Sequence, residues 1–242
     1  MTETFTALLF AHVLADFVLQ TRWIVANKRR LAVLALHGAI VLACAQAALG
    51  QVAAPELLAL AGLHLLIDAL KVRAPARLGP FIADQAAHLG VVLAIALWSP
   101  GLWAGGLWAQ AVPAPVLPGL FALAAGALLA VRAGGFAVAL LMQAHLPPGS
   151  DSEGLPAGGL TIGYLERGLI FVLILAGQAG AIGFLIAAKS ILRFGTVGGD
   201  RKASEYVIIG TLASFGWAIC AALATQGLLA HLPPLEIAII QP

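Results

Sequence analysis

The chain has 242 residues, of which 61% are hydrophobic and only 10% charged, with a formal net charge of +2. A soluble domain normally carries about 25% charged residues. The composition, with a mean hydropathy of +0.99, therefore excludes an ordinary soluble globule and points to one integral membrane domain over residues 1–242. The period-2 alternation of a membrane barrel is absent. The few basic residues gather in short loops, which suits membrane orientation rather than nucleic-acid binding.

Apolar runs predict helices at about residues 3–21, 31–50, 55–72, 80–98, 116–143, 160–179, 181–194 and 204–230, given that a span needs roughly 20 residues. The expected fold is an all-α polytopic transmembrane bundle of seven or eight segments, with the lipid bilayer as its first partner. A homo-oligomer is compatible with such a chain. The sequence opens MTETF, with no basic residue ahead of the first apolar run, so that run is expected to stay as a transmembrane helix. Cys44 and Cys220 both lie in apolar runs and suggest neither a disulfide framework nor a CxxC metal site.

Basic residues set the orientation. Arg22, Lys28, Arg29 and Arg30 separate the first two runs, and Lys71, Arg73 and Arg77 separate the third and fourth. The connection GQVAAPE carries no Lys or Arg, and neither does the Trp- and Pro-rich stretch from Trp98 to Pro118. By the positive-inside rule the two basic loops face the cytoplasm and the N-terminus lies outside. Residues 99–118 then form an outer loop, with Trp98, Trp103 and Trp108 expected as an interfacial belt. In the second half, a polar segment from Pro147 to Gly159 holds Asp151 and Glu153. Glu166 and Arg167 open the next run, and Lys189, Arg193, Arg201 and Lys202 follow it. Keeping both charged ends cytoplasmic requires residues 160–194 to enter and return, and AGQAG at 176–180 supplies a turn for such a hairpin.

The first hundred residues carry the chemistry. Three i,i+4 pairs interrupt the apolar runs: His12/Asp16, His64/Asp68 and Asp84/His88, with His37 standing alone. Residues four apart share a helix face, so each pair presents an imidazole and a carboxylate together. That is ligand chemistry for a divalent ion, and ionisable groups at membrane depth usually mark function. His12-xxx-Asp16 precedes His37 by 25 residues and His64-xxx-Asp68 precedes His88 by 24, with a basic loop inside each interval. The first four helices thus read as a parallel duplication of one hairpin, although Val33 stands where Asp84 would be matched.

The direction of each helix predicts a common depth. The order His then Asp in the inward-running helices becomes Asp then His in the outward-running fourth, and His37 lies roughly 9 Å inside its helix at 1.5 Å per residue. All seven groups then fall in the cytoplasmic half. The expected ligands are His12, Asp16, His64, Asp68 and His88, with Asp84 or His37 completing the shell or acting as general base. Zinc or manganese is the expected ion, with iron also in range. Lys71, Lys189 and Arg193 are the expected holders of an anionic, membrane-associated substrate, and Arg suits phosphate oxygens well. Glu166 is expected to pair with Lys189, Arg193 or Arg167. Three functional readings stand: metal-assisted hydrolysis, a proton or cation relay in transport, and a non-catalytic membrane partner whose buried polar groups hold helices together.

HVLADFVLQT, the His64/Asp68 and DQAAH segments, IGYLERGLI, AIGFLIAAKSILRF and DRKASEYVIIGTLASF together resemble the domain-of-unknown-function 3307 family of bacterial membrane proteins. The resemblance covers the first hundred residues and about 160–216. It implies a multi-pass protein of the bacterial inner membrane and no particular reaction; in that membrane the outside N-terminus expected from the basic loops is periplasmic. The HxxxD spacing is also similar to that of membrane-bound metal-dependent hydrolases.

Overall fold

The structure is a computed structural model that describes residues 1–111, 115–143, 145, 158–194 and 201–235, with only the main chain for 192–194, 201 and 203. The acidic stretch around Asp151 and Glu153, and the side chains of Arg193 and Arg201, lie outside the described residues. The described residues are helical with short connections: α1 (Thr2–Leu14), α2 (Arg22–Asn27), α3 (Leu31–Leu49), α4 (Pro55–Lys71), α5 (Leu78–Trp98), α6 (Leu117–Leu128), α7 (Gly134–Gln143), α8 (Gly158–Leu175), α9 (Ala181–Phe194) and α10 (Arg201–Leu229). Two π-helical stretches, Ala15–Leu19 and Leu129–Ala133, continue α1 and join α6 to α7.

Among the described residues, six helices are long and apolar enough to cross a membrane: Thr2–Leu19, Leu31–Leu49, Leu78–Trp98, Leu117–Gln143, Gly158–Leu175 and Ser204–Leu229. The protein is a polytopic helical bundle. Beside these six stand two shorter helices, α4 with 17 residues, at the lower edge of spanning length, and α9 with 14.

The chain forms two compact units, one of Met1–Leu128 with the chain from Gly227 onward, the other Leu129–Gln226. In the first unit α1 is central and packs against α3, α5 and α6, while α3 packs on α4 and α4 on α5. Gly38 sets the α3–α4 approach, since a Cβ there would lie 2.7 Å from the Leu65 side chain. Small residues of this kind let membrane helices come close. Gly50 ends α3 in the left-handed region at φ 65°, a conformation that costs glycine least. The following loop is tied down at the same end: Thr4 Oγ1 donates to Pro100 O at 2.8 Å and accepts from Trp103 N at 3.1 Å, and Ser99 Oγ donates to Glu56 Oε1 at 2.8 Å. Trp103 is buried and packs edge-on against Phe121, whereas Trp98 is exposed. One of the three expected belt tryptophans is therefore a core residue.

In the second unit, α8 ends at Leu175 and Gly177 turns the chain at φ 72°. α9 then runs back, so that Lys189 Nζ meets Glu166 Oε2 at 2.7 Å. The π stretch before α7 frees main-chain carbonyls, and two side chains bond to them: Trp217 Nε1 donates to Leu129 O at 2.8 Å, and Arg167 donates to Val131 O.

Candidate metal centre

Four helices of the first unit deliver the seven ionisable residues to one place. α1 contributes His12 and then, just past the switch to π geometry at Ala15, Asp16. His37 comes from α3, His64 and Asp68 from α4, and Asp84 and His88 from α5. None exposes more than 7% of its side chain. A π turn is rare and often sits at a functional site. Here it lies at the one residue of α1 whose carboxylate faces both His37 and His64.

Four atoms define the centre. Asp16 Oδ1 lies 3.2 Å from His37 Nε2 and 3.3 Å from His64 Nε2. Asp68 Oδ2 lies 3.4 Å from His37 Nε2 and 3.5 Å from His64 Nε2. The two imidazole nitrogens are 3.2 Å apart. A tetrahedral zinc with ligand bonds of about 2.0–2.1 Å spaces its donor atoms about 3.3–3.4 Å apart, so five edges of such a tetrahedron are already present. Both carboxylate oxygens are buried without a hydrogen-bond partner. The two imidazole nitrogens are within hydrogen-bond distance of each other, whereas the two carboxylate oxygens approach them without a hydrogen bond, as lone pairs aimed at a shared centre would.

A second group adjoins it. His88 Nδ1 donates to the Asp84 main-chain carbonyl at 2.9 Å. A carbonyl only accepts, so Nδ1 carries the proton and Nε2 keeps its lone pair. That Nε2 and Asp84 Oδ1 are buried and unpartnered. The His12 and His88 rings stack at 5.2 Å, and the His64 and His88 centroids are 4.1 Å apart. Three overlapping sets could each hold an ion: His12/Asp16/His64, His37/His64/Asp68 and Asp68/Asp84/His88.

Two lysines hold the outer carboxylate oxygens. Lys28 Nζ donates to Asp68 Oδ1 at 2.6 Å, and Lys71 Nζ to Asp84 Oδ2. Gln85 bridges from Asp84 Oδ2, at 3.0 Å, to His12 Nε2, at 3.4 Å, and Gln20 Nε2 lies 2.9 Å from His37 Nε2. Among the described residues Asp16 has no such cation. Three carboxylates against two ammonium groups leave one negative charge when the imidazoles are neutral, the sign a divalent cation requires. The lysines are outer partners of the kind that orient ligands and tune their basicity, whereas Gln20 meets His37 at the nitrogen that faces the centre, and its amide would have to turn away for an ion to use that lone pair.

Towards the basic loops, a cavity of about 570 Å³ is lined by Lys28, Arg29, Leu34, Ala69, Val72 and Arg73. A void of about 10 Å³ is walled by His12, His64, His88 and apolar side chains that include Val41, Leu60 and Val92. That is about the room one water needs.

All seven residues singled out in the sequence meet here, with His37 inside the four-atom centre. Lys71 is engaged by Asp84, and Lys189 is paired with Glu166 in the second unit, one of the expected partners. Lys28, Gln20 and Gln85 were missed. Lys28 belonged to a basic loop that orientation alone accounted for; the available signal was RWIVAN before it, a six-residue helix capped by Thr21 Oγ1 at Ile24 N and anchored by buried Ile24, which carries Lys28 inward.

Residues 4–105 match the model of a family described as protein of unknown function (DUF3307). The matched stretch is less than half of the chain, and it spans all seven cluster residues. Neither the curated proteins nor the solved structures yield a match.

Proposed function

We propose that the first unit is a metal-dependent membrane hydrolase acting on an anionic, membrane-associated substrate, of which a phosphate ester is the leading class. The observation that carries this reading is the convergence of Asp16 Oδ1, His37 Nε2, His64 Nε2 and Asp68 Oδ2 at 3.2–3.5 Å. Zinc suits two imidazoles and two carboxylates in that spacing, and manganese or iron accepts the same donors. A divalent ion held there would polarise an ester or phosphoryl oxygen and make a water acidic enough to attack at neutral pH.

The chain's own residues do the rest. Arg29 and Arg73 draw the anionic group into the 570 Å³ cavity, and Lys28 links that cavity to Asp68. Asp84 and His88 lie within reach to accept or return a proton. Four protein atoms close a tetrahedral shell, the pattern of a structural site, so catalysis there requires one of the four to give way or the shell to expand to a fifth ligand, and measured turnover distinguishes the two roles. Transport through the same cluster needs a path to the far side, whereas the void beside His12, His64 and His88 has an apolar wall and the Thr4–Trp103 loop is bonded. The expected inner-membrane location and outward N-terminus fit a substrate approached from the cytoplasmic leaflet.

The test is elemental analysis of full-length protein purified without chelator, followed by phosphate release from lipid phosphate esters. About one equivalent of metal or more, with hydrolysis lost in Asp68→Asn, supports the proposal. Bound metal without hydrolysis makes the ion a structural clamp. Well under one equivalent, with no thermal stabilisation by added zinc or manganese, removes the enzyme reading in favour of transport.

A further inference from the structure

A second polar site lies in the other unit, and nothing in the proposed reaction uses it. Arg167, on α8, is 3% exposed, so an always-charged guanidinium is buried in a helix apolar enough to span a membrane. Three of its five N–H groups are engaged: Nε and Nη2 donate to Val131 O at 3.3 and 3.2 Å, and Nη1 to Ser214 Oγ at 2.9 Å. These acceptors are neutral. Among the described residues no carboxylate forms an ion pair with Arg167, because the adjacent Glu166 is paired with Lys189 at 2.7 Å. The Tyr164 ring, 5.6 Å from the guanidinium carbon, offsets only a small part of the charge. A buried charge without a counter-ion is costly, and two N–H groups remain to be matched.

Arg167 lines a cavity of about 540 Å³ formed by α7, α8, α9 and α10. Its polar lining includes Arg167, Glu166, Lys189, Tyr206, Thr211 and Ser214; Val138, Met142, Ile162, Leu185 and Val207 make the other walls apolar. Two cations against one carboxylate leave a single positive charge. The volume is that of a small-molecule site, and its two-part lining matches a molecule with an anionic head and an apolar tail.

We infer that this cavity binds an amphiphile with a singly charged anionic head, its phosphate or carboxylate against Arg167 and its acyl chain along Met142, Ile162 and Leu185. The head supplies the ion pair that no described residue forms with Arg167. Glu166 holds Lys189 at the rim and rejects doubly anionic heads by repulsion. The inference is independent of the metal centre.

The probe is phosphatidylglycerol, added to the purified full-length protein in detergent, with phosphatidylcholine and inorganic phosphate as the other arms. Phosphatidylglycerol at about a hundredfold excess over its dissociation constant should raise the unfolding midpoint by about 5–10 °C. Phosphatidylcholine and phosphate should not. Arg167→Gln should abolish the gain, but it also releases the Val131 carbonyl and tests folding as well. Gly210→Leu separates the two: the three atoms nearest a Cβ at Gly210 all belong to the Met142 side chain, at 3.4–3.8 Å, so the larger residue takes up space in the cavity lining and leaves Arg167 and its partner Val131 unsubstituted. Loss of the lipid-specific gain in Gly210→Leu, with its lipid-free midpoint unchanged, supports the site. An equal gain from phosphatidylcholine or from phosphate, or a gain that survives Gly210→Leu, overturns it.

Discussion

Lys28 Nζ lies 2.6 Å from Asp68 Oδ1, and both side chains are more than nine-tenths buried. The bond fixes the carboxylate so that its other oxygen, Oδ2, faces His37 and His64. A cation on the outer oxygen and an open lone pair on the inner one is the arrangement that outer partners of a metal ligand produce. Lys28→Met should lower zinc affinity about 10- to 100-fold, read by competition with a chromogenic chelator, while Lys28→Arg should stay near wild type. Unchanged affinity in Lys28→Met would make the pair a helix–helix contact and nothing more.

His37 decides between two assignments of the cluster. As a donor of the four-atom centre, its loss should strip metal as thoroughly as Asp68→Asn does, by tenfold or more. As a general base, its loss should abolish turnover and leave metal bound. His37→Ala is expected to follow the first pattern. His231→Ala is the control, since that ring is exposed and bonds only the Gly227 carbonyl. Full metal occupancy in His37→Ala would return His37 to the role of base.

The helical bundle and the meeting of seven residues were legible because each depends on a strong local signal. Apolar runs of membrane length leave few alternatives, and an ionisable side chain within one must face the protein interior. The inverted order Asp84-xxx-His88 against His64-xxx-Asp68 was enough to bring the pairs to one depth. Lys28 was hidden by a sufficient simpler explanation, orientation by positive charge. Gln20 and Gln85 were hidden because a glutamine carries no charge to mark it. The π switch at Ala15 has no composition of its own, since ADFVL reads as ordinary helix. The unit boundary at Leu129 falls inside one unbroken apolar run and follows from packing between residues distant in sequence.

Gly38 offers a test of the geometry that touches no ligand. Its absent side chain lets Leu65 of α4 close against α3, and this contact lies one residue from both His37 and His64. Gly38→Val should push the two helices apart, with a stability loss of about 1–3 kcal/mol from overpacking. Metal occupancy should fall with it, because the 3.2 Å spacing of His37 and His64 depends on that approach. Gly62→Ala, where a Cβ meets nothing within 4 Å, should change neither quantity. Thermal unfolding in detergent and elemental analysis of the same samples measure both effects.

On the proposed reading, the cavity and the loops together predict the side from which substrate would arrive. The basic cavity opens among Lys28, Arg29 and Arg73, residues of the two loops that the positive-inside rule assigns to the cytoplasm. The opposite end of the same unit is closed by the Gly50 turn and the loop carrying Trp103 and Trp108, where Trp108 Nε1 donates to Ala47 O at 2.6 Å. A reporter fused after Arg30 should therefore read cytoplasmic, and one fused at Gly106 should read external. A membrane-impermeant thiol reagent should label a cysteine at Arg73 only after the membrane is opened, and a cysteine at Leu107, which is 71% exposed, from outside in intact cells. The reverse pattern would place the basic cavity on the outer face, and the substrate would then have to come from the outer leaflet.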